Sequence, residues 1–323
     1  MCVGEITVRR AIPADDPAIT ALLRTSLGKE GDEHYVDFLR WKHEENAFGV
    51  SPAWVAADGE RIVGYRTLLR WRFVNRKGKV LHAVRAVDTA TDPDYRGRGI
   101  FRTLTLEAVA DLTRAGEAFI FNTPNDQSRP GYLSMGWTPV RRLPVGVLPA
   151  SPAAMTRMVR SRVPSNLWSE PTQVGDDARR ALQDDAVCDA LLAHAPSHGL
   201  RTDRTRAYLR WRTSFGPLAY RVLWVQDDDP GQGGVVFRVR RRGDALELVV
   251  VELLVPTVRA AVPLLRRALA ATGADYAIAL RSGPAAGMLP LPGQGPLLVG
   301  RALARGLPPG REWMLTMADI ELF

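Results

Sequence analysis

The feature that most constrains the fold of this chain is a pattern that occurs twice. The stretch FLRWK at 38–42 returns as YLRWR at 208–212, and the Phe-Gly pair at 48–49 returns at 215–216. After each pair come three strand-like runs separated by acidic or glycine turns, and then a helical segment, a glycine and a strand. A chain of 323 residues is long enough to build two cores. The repeat therefore predicts two domains with the same order of elements.

This order predicts a mixed α/β (α+β) fold, in which each domain is a twisted, mostly antiparallel sheet flanked by helices. We expect the first domain at 1–148, a linker with helical material at 149–200, and the second domain at 201–323. The Pro- and Gly-rich segment 283–310 is expected to be irregular, as a packing loop or a lid. Residues 312–323 are expected to form a terminal strand.

Charge and cysteine content narrow the class of protein. The net charge is +8, but the basic residues are almost all arginine and are spread along the chain. This favours a ligand that carries phosphates, or an acidic substrate, and nucleic acid is not expected as a partner because no motif supports it. The two cysteines, Cys2 and Cys188, lack metal-like spacing, which favours a cytoplasmic protein without a metal site. No apolar run approaches the roughly 20 residues of a membrane span, so no membrane partner is expected.

The two halves differ in the length of one loop. Gly116 lies 23 positions after Pro93, whereas Gly273 lies 17 positions after Pro256. The difference of six equals the length of the stretch DYRGRG at 94–99. The second half therefore retains the scaffold of the first and lacks this loop.

The loop has the composition of an anion site. It lies between a strand and a helix, so its backbone N–H groups are at the positive end of the helix dipole. Gly97 and Gly99 allow a phosphate to approach the backbone where a Cβ would block it. Arg96 and Arg98 add charges that can pair with phosphate oxygens. The sequence therefore predicts a phosphate-binding site in the first half.

The stretch Arg-Gly-Arg-Gly-Ile at 96–100 resembles the acyl-CoA pyrophosphate loop of the GNAT (GCN5-related) N-acetyltransferase superfamily, whose pattern is Gln/Arg-x-x-Gly-x-Gly/Ala. Position six departs from the pattern, because it is Phe101 instead of Gly or Ala. Two more family motifs follow in the right order: Asn-x-x-Ala reads NDQS at 125–128, and Tyr-x-x-x-Gly-Phe reads YLSMGW at 132–137. The resemblance covers residues 5 to about 145. It implies two tandem GNAT-like domains, the second of them degenerate.

The resemblance implies an acyl-CoA-dependent N-acyltransferase with acetyl-CoA, or another acyl-CoA, as co-substrate. In this family a splayed strand end gives backbone N–H groups to the thioester carbonyl, the loop binds the pyrophosphate, and asparagines lie along the path of the pantetheine. The cofactor-binding residues implied here are Ala90, Thr91, Arg96, Gly97, Arg98, Gly99, Ile100, Phe101, Asn122 and Asn125. For the two asparagines, capping of the next helix is an equally good interpretation.

The resemblance also implies a general acid. Tyr132 matches the residue that protonates the departing CoA thiolate in the family. The alternative is a tyrosine that packs next to Gly136 and Trp137. We find no Ser-His-Asp or Cys-His arrangement in the sequence, and Pro196 between His194 and His198 argues against a shared metal site.

The general base is harder to assign. Asp88 is our candidate, because it lies on the strand just before the splay among apolar neighbours and could draw the ammonium proton directly or through water. The alternative is a structural ion pair of Asp88 with Arg85 or Arg96. The family often places its base two or four residues before the splay, which here gives Val87 and Arg85. The C-terminal carboxylate of Phe323 is a further candidate.

The acceptor is expected to be a small-molecule amine. The stretches WKH…FG and PN..S.PG resemble those of family members encoded beside polysaccharide or natural-product pathways, which implies a primary amine of an amino sugar or a secondary metabolite. The second copy would then shape the acceptor site. Two alternatives remain, a Fem-type transferase that uses aminoacyl-tRNA and a non-catalytic acyl-CoA sensor. The intact Arg-Gly loop argues against the Fem-type enzyme.

Overall fold

A computed structural model describes residues 6–161, 163–281 and 287–321 of the chain. Within these ranges every helix is too short or too polar to cross a membrane. The strands follow each other in the order β1 (Thr7–Arg10), β2 (Ala53–Asp58), β3 (Arg61–Val74), β4 (Val80–Thr91), β5 (Phe119–Asn122), β6 (Thr138–Arg142), β7 (Val145–Pro149), β8 (Asp176–Asp177), β9 (Arg201–Thr202), β10 (Arg221–Gln226), β11 (Asp229–Arg242), β12 (Ala245–Leu254), β13 (Tyr276–Leu280), β14 (Leu289–Pro290) and β15 (Leu297–Ala302).

The helices cover the faces of the sheets, as amphipathic segments must to bury their apolar side. They follow each other in the order α1 (Asp16–Leu27), α2 (Tyr35–His43), α3 (Ile100–Arg114), α4 (Arg129–Ser134), α5 (Pro152–Arg160), α6 (Ala178–Ala181), α7 (Asp185–Leu192), α8 (Arg206–Ser214) and α9 (Val258–Thr272).

The strands form two sheets of the same design. The first has the order β1-β2-β3-β4-β5-β15-β6, with β9 beside β3, and the second has the order β14-β7-β13-β12-β11-β10-β8. Pairing is antiparallel throughout, except for β4 with β5 in the first sheet and β12 with β13 in the second. The predicted mixed fold with two mostly antiparallel sheets is therefore confirmed.

Each sheet contains one strand from the other half of the chain. Strand β7 directly follows the first half, yet it pairs with β13 and β14 in the second sheet. Strand β15 comes near the end of the chain and lies between β5 and β6 in the first sheet. The predicted domain boundary at 148 thus falls inside β7. The segment 283–310, which we expected to be irregular, contains β15, so that expectation is wrong for residues 297–302.

The two repeated tryptophans meet at an approximate twofold axis. The Nε1 of Trp41 donates to the carbonyl oxygen of Trp211 at 2.7 Å, and the Nε1 of Trp211 donates to the carbonyl oxygen of Trp41 at 2.9 Å. Their rings stack with centroids 5.3 Å apart. The repeated phenylalanines pack reciprocally, Phe48 on Trp211 and Phe215 on Trp41. Such paired contacts are typical of an isologous interface, here within one chain.

Helix α3 lies unusually close to the first sheet. It buries Ile100, Leu104, Ala108 and Leu112, which recur at the spacing of one helix face. Gly64 of β3 lies beneath this face, and a Cβ there would be 2.5 Å from the Cγ2 of Ile100. Glycine at this position therefore permits the close approach that fixes the N-terminus of α3 against the sheet.

The end of the chain crosses between the halves instead of forming the expected terminal strand. Residues 310–312 and 317–319 are short 3₁₀ turns, so the strand predicted at 312–323 is wrong for the described part. Trp313 is fully buried between them. The side chain of Glu321 is also fully buried, and its carboxylate pairs with Arg212 at 3.0 Å and with Arg238 at 2.9 Å. A polar, aromatic segment can be buried in this way because its charges find partners.

Candidate active site

The parallel strands β4 and β5 diverge to form a gap. They pair at Val84 with Ile120 and at Arg85 with Phe121. Beyond these pairs β4 continues to Thr91, whereas β5 ends at Asn122. The residues of β4 after Arg85 therefore have an open edge toward the gap, which is the splay that the sequence predicts.

A β-bulge lies in β4 at the edge of this gap. Arg66 of β3 pairs with Thr89 and Thr67 pairs with Val87, so Asp88 between them has no partner on β3. Asp88 has φ 32°, a value that non-glycine residues rarely adopt. Such strain is common at functional sites, because a bulge re-aims one side chain out of the regular alternation. Here it turns Asp88 toward α2.

The hydrogen bond made just after the C-terminal end of β4 shows which way the N–H groups of the strand point. The N–H of Asp92 donates to the carbonyl oxygen of Val63 at 2.9 Å, so it points toward β3. Since successive residues of a strand point their N–H groups to opposite sides, the N–H of Thr91 faces the gap, that of Ala90 faces β3, and that of Thr89 faces the gap again. Of the two predicted oxyanion donors, the geometry favours Thr91. Thr89 is a further candidate that the sequence did not suggest.

The Arg-Gly loop forms an open cradle at the start of α3. Gly97 and Gly99 have φ 77° and 76°, and among the described residues a Cβ at either position would meet no atom within 4 Å. Glycine is therefore needed here for the backbone conformation. The N–H of Thr103 donates to the carbonyl oxygen of Gly99 at 3.0 Å. The N–H groups that precede it point out of the helix, toward solvent or a bound anion.

The two arginines of the loop are exposed. Arg98 donates to the carbonyl oxygen of Asp94 at 3.1 Å, and its guanidinium lies 4.6 Å from the ring centroid of Tyr95. Tyr95 in turn donates to Asp58 at 2.7 Å. Arg96 is exposed as well. Two cations beside an open row of N–H groups make the loop suited to a pyrophosphate.

Tyr132 is buried in the core beneath α3 and is held by an arginine. Its hydroxyl oxygen accepts a hydrogen bond of 2.9 Å from the Nη1 of Arg66, which is fully buried. Within the described residues, the Nε and Nη2 atoms of Arg66 have no hydrogen-bond partner. Because the phenol oxygen accepts from the guanidinium, its own proton is available to another acceptor. The sequence reasoning missed Arg66, because β3 contains four arginines and only the structure shows that this one is fully buried.

Phe101 accounts for the departure from the family pattern. Its ring packs edge-on against Tyr132 with centroids 5.5 Å apart. A Cβ on Gly131 would come within 3.3 Å of the Phe101 ring, so the start of α4 lies directly on it. The guanidinium of Arg66 lies 5.6 Å from the same ring. Phe101 thus packs the candidate acid in place, in addition to its position at the start of α3.

Asp88 belongs to a buried polar cluster with α2. Its Oδ2 lies 2.6 Å from the Nζ of Lys42 and 2.8 Å from the Nε2 of His43, and the Nδ1 of His43 lies 3.0 Å from the Oγ of Ser51. The expected alternative partners Arg85 and Arg96 are not the ones that the structure pairs with Asp88 among its described contacts. Asp88 is therefore in a structural ion pair, but with different cations.

The electrostatics of this cluster disfavour Asp88 as a direct base. Burial by itself would raise the pKa of Asp88, but Lys42 and His43 outweigh it and hold the pKa well below its usual range. Burial lowers the pKa of His43 and of Lys42, although Asp88 opposes the shift in both. Asp88 is thus a weakly basic carboxylate, and the imidazole of His43 is neutral near pH 7.

Comparison with known proteins agrees with this geometry. Residues 7–140 match the family model described as the acetyltransferase (GNAT) domain. This part of the chain is a GNAT domain. A stretch of 114 residues is 33% identical to YhbS of Escherichia coli, which is described as an uncharacterized N-acetyltransferase, and covers 35% of this chain. The chain spans 64% of the length of that curated relative.

Two solved structures share the fold over nearly the whole chain. A protein of Enterococcus faecalis, described as a probable N-acyltransferase, covers 93% of this chain and 73% of its own with a TM-score of 0.64 at 15% identity. Eis1 of Mycobacterium abscessus covers 93% of this chain and 74% of its own with a TM-score of 0.58 at 12% identity. The GNAT domain is thus followed by a second sheet-and-helix body of similar fold, which is consistent with the expected tandem architecture.

The asparagines of the GNAT domain have different surroundings. Asn122 is buried at the end of β5, and its Oδ1 has no hydrogen-bond partner among the described residues. The Oδ1 of Asn125 accepts hydrogen bonds of 2.9 Å from both the N–H and the Oγ of Ser128. The capping interpretation therefore suits Asn125, which leads into α4. Asn122 retains an acceptor that a ligand in the gap could use.

The end of the chain reaches the gap of the GNAT domain through Arg85. The Nη1 of Arg85 donates to the carbonyl oxygen of Asp319 at 2.9 Å, and its Nη2 donates to the Oγ1 of Thr123 at 2.8 Å. Burial lowers the pKa of Arg85 to about 10. Phe323, whose carboxylate is the further candidate base, lies outside the described residues.

Proposed function

We propose that the protein is an acyl-CoA-dependent N-acyltransferase that transfers an acyl group, acetyl in the simplest case, to a primary amine of a small molecule such as an amino sugar or a natural-product intermediate. The feature that supports this most directly is one arrangement within the GNAT domain. The glycine cradle at the start of α3, the gap beside β4 and the buried Tyr132, whose hydroxyl accepts from Arg66 of β3, all belong to the first half of the chain.

Each part of this arrangement has a chemical role. When bound, acyl-CoA supplies an acyl group activated as a thioester. The N–H groups of residues 97–101 would hold its pyrophosphate, with Arg96 and Arg98 adding charge. The N–H groups of Thr89 and Thr91 would stabilise negative charge on the thioester oxygen as the amine attacks.

Tyr132 would complete the transfer as the general acid. As the carbon–nitrogen bond forms and the carbon–sulfur bond breaks, its hydroxyl proton passes to the sulfur, the attacking nitrogen gives up its extra proton to solvent, and solvent returns a proton to the phenolate. Arg66 supports this role because its guanidinium donates to the phenol oxygen and stabilises the negative charge left there. The buried guanidinium has no competing carboxylate among the hydrogen bonds of the described residues.

The test is CoA thiol release from acetyl-CoA with a panel of amino sugars and alkyl diamines. We expect wild-type turnover with at least one amine, and a loss of about 100-fold in kcat for Tyr132→Phe with acetyl-CoA affinity retained. Tyr276→Phe in the second sheet is the matched control and should leave the rate unchanged. Undiminished turnover of Tyr132→Phe would exclude the acid role.

The same experiment separates the alternatives. Tight acetyl-CoA binding without thiol release on any amine would favour a non-catalytic sensor and overturn the transferase. The Fem-type alternative requires transfer from aminoacyl-tRNA in the absence of acyl-CoA. The preserved cradle at the start of α3 argues against it, because that reaction has no use for a CoA pyrophosphate site.

A further inference from the structure

A cavity of about 960 Å³ lies against the second sheet, between the sheet and α5. Its floor includes Val147 of β7 and Ile278 of β13, and its walls include Met158 of α5, Leu291 after β14 and Met317 near the end of the chain. Most of the lining is apolar. A concave site of this size with a few polar groups is typical of a pocket for a small molecule.

The cavity lies on the face of the second sheet that is opposite α9. Helix α9 shares a buried cluster with Ala277 of β13, and the next side chain, Ile278, points to the other face, where the cavity is. Strand β5 has the corresponding place in the first sheet, as the parallel neighbour of the meander. There the ring of Trp313 packs on Phe119 and Phe121, with centroids 5.3 Å and 5.9 Å apart. A bulky aromatic side chain therefore covers β5, whereas β13 borders an open volume.

An ion cluster with two arginines and one carboxylate forms one part of the lining. The Nε of Arg240 donates to Oε1 of Glu247 at 2.6 Å, and the Nε of Arg242 donates to Oε2 at 3.2 Å. Glu247 is fully buried, and the side chain of Arg240 is 8% exposed. The charged side chains that line the described part of the cavity therefore sum to one positive charge. A partly buried surplus charge of this kind favours an anion as its partner.

Both guanidiniums retain hydrogen-bond donors for such an anion. The Nη1 of Arg242 donates to the carbonyl oxygen of Val163 at 3.1 Å. Among the hydrogen bonds of the described residues, the Nη2 of Arg242 and the Nη1 of Arg240 are not used. Two neighbouring guanidinium nitrogens match the two oxygens of a carboxylate, and such charge-assisted bonds are among the strongest in proteins.

Exposed apolar side chains border the opening of the cavity. Val159 and Val163 both line it, and they are 52% and 48% exposed. Leu289 of β14 pairs directly with Val147, so it lies on the same face of the sheet, and it is 47% exposed. A group of exposed apolar side chains beside a concave site is typical of a surface that a ligand covers.

We propose that the cavity binds an amphipathic carboxylate, whose anionic head pairs with Arg240 and Arg242 and whose apolar body lies on Val147 and Ile278. The surplus positive charge selects against an amine, and the apolar floor selects against a fully hydrophilic anion. Acyl-CoA is not the occupant, because the second half lacks the glycine cradle and the start of α9 is capped by Thr257. This site is separate from the gap of the GNAT domain and does not rest on the proposed transferase.

The experiment measures displacement of 8-anilinonaphthalene-1-sulfonate, a fluorescent aromatic monoanion, from the full chain at neutral pH. The competitors are decanoate, decanol and decylamine, which have the same chain length and differ in the head group. We expect decanoate to displace the probe at a concentration about tenfold lower than the other two, because only a carboxylate can pair with both guanidiniums.

Three variants locate the site. Arg242→Gln should weaken decanoate binding about tenfold and change decanol binding less than about twofold. Arg241→Gln is the matched control on the same strand and should have no effect, because Arg241 pairs with Glu170 and does not line the cavity. Ile278→Trp should abolish binding of both competitors, because the larger ring occupies the floor of the cavity.

The outcomes decide between this site and its alternatives. Equal affinities for decanoate, decanol and decylamine, or an equal loss in Arg241→Gln and Arg242→Gln, would overturn recognition of a carboxylate. Undiminished probe binding by a folded Ile278→Trp would place the probe elsewhere and overturn the cavity as its site. Thermal unfolding identifies a variant that fails to fold, and Arg242→Gln still tests the site if Ile278→Trp does so. Sedimentation that shows a dimer unable to bind the probe would assign this face to a second copy of the chain instead.

Discussion

The two halves of the molecule share a scaffold and differ in what they leave open to a ligand. Both meanders contain a bulge, at which Asp88 in β4 and Val251 in β12 lack a cross-strand partner. In the first half α3 follows the exposed loop that ends at Gly99. In the second half α9 follows Thr257, whose side chain accepts the N–H of Ala260. One helix N-terminus is open and the other is capped by its own chain.

The last residue of the repeated stretch shows the same difference. Lys42 pairs with Asp88, which borders the gap, whereas Arg212 pairs with the fully buried Glu321. Burial alone would raise the pKa of Glu321, but Arg238 and Arg212 outweigh it and lower the pKa to about 2. A sealed ion cluster can hold two segments together but cannot meet a substrate. The second copy therefore retains the packing role of the repeat, but these paired charges are not accessible to a substrate.

The largest expected effect tests the sealed cluster. Glu321→Gln should lower the free energy of unfolding by about 3–5 kcal/mol, because Arg212 and Arg238 would remain buried without a carboxylate. Urea denaturation at neutral pH measures it. Glu170→Gln, which removes a half-exposed partner of Arg241, is the control and should cost less than about 1 kcal/mol. A larger loss for Asp88→Asn than for Glu321→Gln would contradict the comparison.

The pH dependence of stability follows from the same carboxylate. The pKa of Glu321 is about 2 in the folded protein and near 4.5 when unperturbed. Its contribution is therefore complete above about pH 4.5 and is lost as the pH falls toward 2, a loss on the order of 3 kcal/mol. Urea midpoints between pH 7 and pH 3 should fall more steeply for wild type than for Glu321→Gln. Parallel curves would show that Glu321 is not the group responsible.

A third prediction compares the two helix starts. Gly99→Val should weaken CoA binding about 100-fold, because a β-branched residue at φ 76° distorts the cradle. Gly273→Val introduces the same conformational strain at φ 67° after α9 and should leave CoA affinity unchanged. Both should lose about 1–2 kcal/mol of stability. Isothermal titration with CoA measures the difference, and equal losses of affinity would argue against a cradle in the first half alone.

The last prediction concerns the contact between α3 and β3. Gly64→Ala should destabilise the protein by about 1–3 kcal/mol, because its Cβ would overlap the side chain of Ile100. The displaced helix start should also weaken CoA binding. Gly31→Ala, where a Cβ would meet no described atom within 4 Å, is the control for both measurements. Unchanged melting temperature and affinity for Gly64→Ala would show that the helix is not fixed at this point.

Much of the fold could be predicted from the sequence because it depends on patterns within short segments of the chain. The cradle and Tyr132 belong to one continuous stretch, so their motifs identify them. The cluster of His43, Ser51 and Asp88 was missed because it depends on how α2 packs on a bulged strand. Arg66 was missed for a similar reason, since its partner Tyr132 lies in a separate helix.

The exchange of β7 and β15 could not be predicted at all. The apolar alternation of a strand shows which face is buried, but it is the same for either sheet that accepts the strand. Val147 of β7 is 1% exposed in the second sheet. An apolar side chain at this position would be suited equally well to the buried face of the first sheet. The repeat predicted the number of sheets correctly. Which strands belong to each sheet depends on pairing between segments that are distant in the sequence.

The position of β15 also bears on the order in which the protein matures. The sheet that carries the candidate active site has β15 between β5 and β6, and this strand consists of residues 297–302. A chain made from its N-terminus folds in part while it is still being synthesised. The half with the cradle is translated first, yet it has no strand for this place until nearly the whole described chain has emerged from the ribosome. The sheet of the domain that would bind the cofactor is therefore completed only late in synthesis.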